Sequence, residues 1–116
     1  MTRQGSSFVL DGDVEWEPAG EGVRRKVLCY DGGVMMVRVA FEAGAVGALH
    51  AHPHVQCSLV ERGTFDITIA GETRRLRAGD SFLVPSGALH GAVAIEAGML
   101  VDVFTPMRED FVTPPE

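Results

Sequence analysis

Cysteine is scarce in this chain. Cys29 and Cys57 are the only two in 116 residues, and neither stands at metal or redox spacing. Both lie in strand-like stretches, so they read as reduced, partly buried thiols of a cytoplasmic protein, not as a disulfide framework. Basic residues are also few. Ten Lys and Arg stand against 16 Asp and Glu, for a net charge of −6 and a pI of about 5.1. The Arg24-Arg25-Lys26 and Arg74-Arg75 clusters are short, isolated and read as solvated strand faces. With no basic stripe, nucleic acid is not expected as a partner. The chain has no apolar run of transmembrane length and no charged-then-apolar leader, so no membrane partner is expected either. It also lacks any 11-residue stretch with a helical period.

What remains is a composition of 46% hydrophobic and 22% charged residues, which is that of a globular chain with a single core. Strand-like runs occur at 23–30, 34–42, 55–61, 64–70, 73–76, 81–84, 89–95 and 99–105. They are separated by turn signals such as Asp31-Gly32-Gly33, Gly71-Glu72 and Pro85-Ser86-Gly87. These eight runs, within an expected total of about nine or ten short strands with glycine turns, predict an all-β sandwich or small barrel. Residues 1–13 are polar and without period, and are expected to form an arm. No regular pattern follows Pro106, so 107–116 is expected to be a tail.

The stretch 44–63, GAVGALHAHPHVQCSLVERG, organises the rest. His50, His52, His54 and Gln56 occupy every second position, so one extended strand would turn all four to the same face. Neutral imidazole is the commonest protein metal ligand, which makes this a candidate metal site. One strand does not complete a coordination sphere. The remaining histidine, His90, follows the corner Pro85-Ser86-Gly87 at the start of a strand and is the natural candidate for a further ligand.

Gly44-x5-His50-x-His52-x3-Gln56-x6-Gly63 is similar to the first motif of the cupin family, and Gly79-x5-Pro85-x-Gly87-x2-His90 matches most of the second. Gln56 stands where the family usually has glutamate, and Ala94 where the second motif usually ends in asparagine. The resemblance implies a single-domain jelly-roll β-barrel (double-stranded β-helix) over 14–106, with the 107–116 tail contributing to its mouth. It implies that His50, His52, Gln56 and His90 converge on one divalent transition metal, with Ni, Zn, Mn and Fe left open. Gln56 either ligates directly or hydrogen-bonds a metal-bound water. His54 falls outside the motif, though alternation puts it on the ligand face. Three imidazoles and a neutral amide leave the ion its full formal charge. That favours an anionic substrate and Lewis-acid polarisation. It also departs from the two-histidine, one-carboxylate iron(II) triad, so redox chemistry ranks lower.

In the last strand, alternation puts Leu100, Asp102 and Phe104 on one face. A carboxylate among core residues is costly unless paired or used, which marks Asp102 as a general acid/base candidate; the alternative is an exposed face and a surface charge. Arg108 is placed to clamp a carboxylate from the barrel mouth, or else to pair with Glu109 or Asp110. A closer resemblance runs from about Trp16 to Phe111, to the KdgF family of small pectin-degradation cupins. It is carried by FEAGAVGALHAHPHVQ, AGDSFLVP and EAGMLVDVFTPMREDF. It implies a metal-dependent enzyme that opens and ketonises 4,5-unsaturated monouronates from pectin or alginate, with Asp102, Phe104 and Arg108 in the catalytic pocket. A small anionic sugar is the expected partner. A homodimer formed by sheet extension, through Val34–Phe41 and the strand of outward Cys57, is expected too. The competing readings are another metal-dependent cupin enzyme, a sugar isomerase or dioxygenase, and a non-catalytic sugar- or metal-binding module.

Overall fold

A computed structural model describes residues 3–112. The ends of the expected arm and tail, 1–2 and 113–116, lie outside the described residues. Among the described residues, ten strands form two antiparallel sheets. They are β1 (Glu17–Pro18), β2 (Val23–Asp31), β3 (Val34–Phe41), β4 (Val46–His50), β5 (Val55–Arg62), β6 (Thr64–Ile69), β7 (Glu72–Arg77), β8 (Ser81–Val84), β9 (His90–Ala94) and β10 (Gly98–Thr105). One sheet runs β1-β2-β3-β10-β5-β8 and the other β4-β9-β6-β7. Among the described residues no ladder joins the two, so the jelly roll is a pair of facing sheets, not a hydrogen-bonded ring. No described helix is long and apolar enough to cross a membrane.

Alternating side chains from both sheets fill the space between them. Val23, Phe41, Val60, Phe65, Ile67, Ala94 and Leu100 make one core cluster. Its centre is an edge-to-face pair, Phe41 against Phe65, with ring centroids 5.1 Å apart. A second cluster holds Val27, Tyr30, Met35, Val37 and Phe104, and is covered by Met107, Phe111 and Val112 from beyond β10. That covering segment carries a one-turn helix, α1 (Glu109–Val112), where no regular structure was expected.

Two further elements depart from the sequence reading. Residues 46–50 form a strand of their own, β4, which the strand-like runs read from the sequence did not include. A Cβ at Gly47 would make only ordinary van der Waals contact, 3.7 Å from both the Phe41 ring and the Ala92 carbonyl. Gly98 is tighter, since a Cβ would sit 2.5 Å from the Arg62 carbonyl and 2.9 Å from the Phe65 ring. The second departure concerns exposure. Cys29 and Cys57 are free and exposed rather than partly buried. Of the 24–26 cluster only Arg24 is exposed. Lys26 is buried, its amine 4.9 Å from the Trp16 ring centroid and 3.1 Å from the Asp11 carbonyl.

Candidate metal centre and pocket

The ligand-bearing stretch is not one continuous strand. His50 ends β4 in the four-stranded sheet, and Gln56 lies at the start of β5 in the six-stranded one. Pro53 sits in the break, where its missing N–H cannot serve a ladder. The candidate ligands therefore stand at the crossing between sheets. Cross-strand pairing supplies the rest: His50 pairs with His90 on β9, Gln56 pairs with Phe104, and Ser58 pairs with Asp102 on β10.

The three imidazoles of His50, His52 and His90 converge, with ligand atoms within 4.8 Å of one another. Each ring is held from behind. Nδ1 of His50 donates to the Ala48 carbonyl at 2.8 Å, that of His52 to the His54 carbonyl at 3.0 Å, and that of His90 to the Ala88 carbonyl at 2.9 Å. A carbonyl only accepts, so each Nδ1 carries the proton and each Nε2 keeps its lone pair. This is how ligating histidines are oriented by a shell of outer hydrogen bonds. Burial holds the pKa of His52 and His90 below the ordinary histidine value, which keeps both rings neutral near pH 7.

Two observations test whether a cation fits. His90 Nε2 is buried without a hydrogen-bond partner, a cost that a metal bond removes. Gln56 Oε1 faces His52 Nε2 at 3.1 Å. With His52 protonated on Nδ1, that contact sets two lone pairs against each other. Two donors about 2.1 Å from a shared ion and at right angles to it lie at about this separation. The residues fit a divalent metal.

The Gln56 amide is fixed from its other end. Its Nε2 donates to Ser58 Oγ at 3.0 Å, and Ser58 Oγ donates to Asp102 Oδ1 at 2.6 Å. Asp102 is 8% exposed, with Leu100 and Phe104 buried on the same face of β10. Burial pushes its carboxyl up to about 6, against the opposing pull of the Ser58 and Gln56 hydrogen bonds and the Arg108 charge.

His50, Gln56, His90, Asp102, Phe104 and Arg108 all line one cavity of about 210 Å³. Arg108 lines the cavity and pairs with an acid two residues along the chain. Its guanidinium sits at the cavity, 5.1 Å from the Phe104 centroid and 4.2 Å from that of Phe111. It also grips Asp110 through two hydrogen bonds of 3.0 and 2.8 Å, which hold the Asp110 carboxyl below the usual carboxylate range. His54 stands beside the cluster, its ring 5.4 Å from that of His52.

Sequence reasoning missed Ser58 and Arg25. Arg25 lines the same cavity, stacks 3.8 Å from the Phe111 centroid and bonds Glu17 at 2.8 Å. Period-2 alternation held the signal for both. Arg25 falls between Val23 and Val27 on the inward face of β2, and Ser58 follows Gln56 on the inward face of β5.

Residues 37–104 match the family described as Cupin domain. This chain belongs to the cupin family. Among cupins, the pectin degradation protein KdgF of Dickeya dadantii is 38% identical over 107 residues, which cover 90% of this chain and 97% of that protein. The solved structure of KdgF from Halomonas sp. superposes with a TM-score of 0.87 at 38% identity, covering 91% of this cupin and 98% of that chain. An RmlC-like cupin from Shewanella frigidimarina reaches a TM-score of 0.91 at 41% identity, covering 95% and 99%. The similarity to each extends over nine-tenths or more of this chain.

Proposed function

We propose that this cupin is a metal-dependent enzyme that converts 4,5-unsaturated monouronates, the products of pectin or alginate lyases, to their linear keto form. One observation carries the reading. A buried carboxyl pushed up to about 6 lies one hydroxyl away from the amide at the imidazole cluster, in a cavity that also presents the Arg108 guanidinium. The whole-length likeness to two KdgF proteins supports it. Cavity size agrees as well. About 210 Å³ is below the roughly 300–1,000 Å³ of pockets for drug-sized ligands, and suits one sugar ring rather than an oligosaccharide.

His50, His52, His90 and Gln56 are the residues that would hold the metal, whose contribution when bound is Lewis-acid polarisation of the substrate's oxygens. Asp102 accepts the proton of the anomeric hydroxyl as the hemiacetal opens to an aldehyde and an enolate. It returns that proton to carbon 4 as the enolate becomes a ketone, so the conversion is a net isomerisation with no atom gained or lost. A carboxyl of pKa about 6 is suited to both directions near neutral pH. Arg108 binds the substrate's anionic or hydroxyl-bearing end, and Phe104 walls the pocket against water. The expected sheet extension through Val34–Phe41 and the Cys57 strand is not available, because β3 and β5 are both interior strands of the six-stranded sheet. The outer face of β5 and β8, which exposes Val55, Leu59 and Leu83, is the surface offered for a homodimer instead.

The test follows the ultraviolet absorbance of the unsaturated uronate with and without protein, since the substrate also opens slowly unaided. Faster loss of absorbance, unchanged under strict anaerobiosis, is the expected result. No acceleration would leave a binding module as the better account, and oxygen-dependent turnover would point to a dioxygenase.

A further inference from the structure

We infer that Ser58 is a positioning residue that decides which end of the Gln56 amide faces the three imidazoles. The inference rests on the metal reading of the cluster and deepens it. An amide side chain has two nearly isosteric ends, an acceptor oxygen and a donor NH2, and packing alone barely distinguishes them. At this site the two ends have opposite consequences. With the oxygen inward, Gln56 presents a lone pair beside those of the imidazoles, as a cation requires. With the NH2 inward, it would donate to His52 Nε2, satisfy that lone pair and block the metal's place.

The choice is made through a directed chain of hydrogen bonds. Asp102, as a carboxylate, offers only acceptors, so the Ser58 hydroxyl spends its one proton on Oδ1 at 2.6 Å. Ser58 Oγ is then left with lone pairs alone toward Gln56 and receives the amide Nε2 at 3.0 Å. Gln56 Oε1 is thereby turned to His52 Nε2 at 3.1 Å. Ser58 is 4% exposed and Gln56 6%, so water has little access to substitute for the hydroxyl. The strand register makes the chain possible, since Ser58 and Asp102 are direct cross-strand partners and Gln56 is two residues along the same face of β5. A glutamate in place of Gln56 would present oxygen from either end and would need no such control.

That difference supplies the experiment, a competition titration of metal-free protein with Zn(II) against a chromophoric chelator. Ser58→Ala is expected to weaken Zn(II) binding by about 10–100-fold, as for loss of an outer-shell partner. Ser58→Thr, which keeps the hydroxyl, should stay within a few-fold of the wild type. In a Gln56→Glu background, adding Ser58→Ala should cost no Zn(II) affinity. Should Ser58→Ala fail to fold, the near-isosteric pair Ser58→Thr and Ser58→Val carries the same comparison. Equal Zn(II) affinity for hydroxyl-bearing and hydroxyl-free variants would overturn the assignment. So would an undiminished loss in the Gln56→Glu background, because the hydroxyl would then be acting on something other than amide direction. A wild-type protein that takes up no Zn(II) at all is a different result, which removes the metal reading and this inference together.

Discussion

His54 Nε2 donates to the Met107 carbonyl at 3.2 Å, while the His54 carbonyl accepts from His52 Nδ1 at 3.0 Å. One residue outside the cupin ligand set thus touches both halves of the site. It orients an imidazole through its backbone and holds the residue before Arg108 through its ring. The two links are separable by mutation, because side-chain truncation leaves the carbonyl in place. His54→Ala should therefore leave metal content near that of the wild type and raise KM. Loss of one partly buried hydrogen bond is worth roughly 1 kcal/mol, or a KM increase of about fivefold to tenfold. Steady-state kinetics beside elemental analysis of the same preparation would show it. A fall in metal content with unchanged KM would place His54 with the ligands instead.

Asp102→Asn keeps the shape of the side chain and an oxygen able to accept from Ser58, but removes the titrating group. Proton transfer by a positioned side chain contributes about 10²–10⁴-fold, so turnover should fall by that factor with metal content unchanged. Near-normal turnover in this variant would exclude Asp102 from the proton-transfer role.

Much of this arrangement was legible in the residues, for a physical reason. Period-2 alternation is a local property, and it sent Leu100, Asp102 and Phe104 inward together, as the structure has them. The paired motifs, His50-x-His52 and Pro85-x-Gly87-x2-His90, specified a cluster because corner residues fix where the next side chain points. The single-strand account of 50–56 failed at Pro53, where the chain leaves one sheet for the other, and convergence comes from that crossing instead. Lys26 shows the limit of reading charge as solvation, since its amine finds Asp11 and Trp16 from a part of the chain no pattern links to it. Arg108 shows another, because the residue before it accepts a hydrogen bond from His54, 53 positions back in the chain.

If the imidazole cluster holds a metal, the metal must also stabilise the fold, because the unfolded chain offers no converged lone pairs. A ligand that binds only the native state contributes RT ln(1 + [L]/Kd), about 2.7 kcal/mol at 100 times Kd. For a chain of this length that should raise Tm by on the order of 10 °C. Thermal unfolding of metal-free protein with and without added Zn(II) reads this directly. His90→Ala, which deletes the buried unpartnered Nε2, should abolish most of the shift. A shift of equal size in that variant would mean that the ion binds elsewhere.

Burial of Asp102 has a signature in stability as well as in rate. Its carboxyl goes from an ordinary 3.8 to about 6 in the folded protein, so the native state binds its proton more tightly than the unfolded chain does. The stabilising contribution is therefore complete below pH 4 and is lost as pH rises through 6. At 1.36 kcal/mol per pKa unit, the loss amounts to at most about 3 kcal/mol. Asp102→Asn carries no such proton. In metal-free protein the variant should gain on the wild type between pH 4 and 6, then hold a constant advantage at higher pH. Urea midpoints for the two proteins across pH 4–8 measure the difference, in which groups unaffected by the substitution cancel. Parallel curves would show that the folded carboxyl titrates as it does in the unfolded chain, and a side chain that does so is not the desolvated acid that proton transfer to carbon 4 requires.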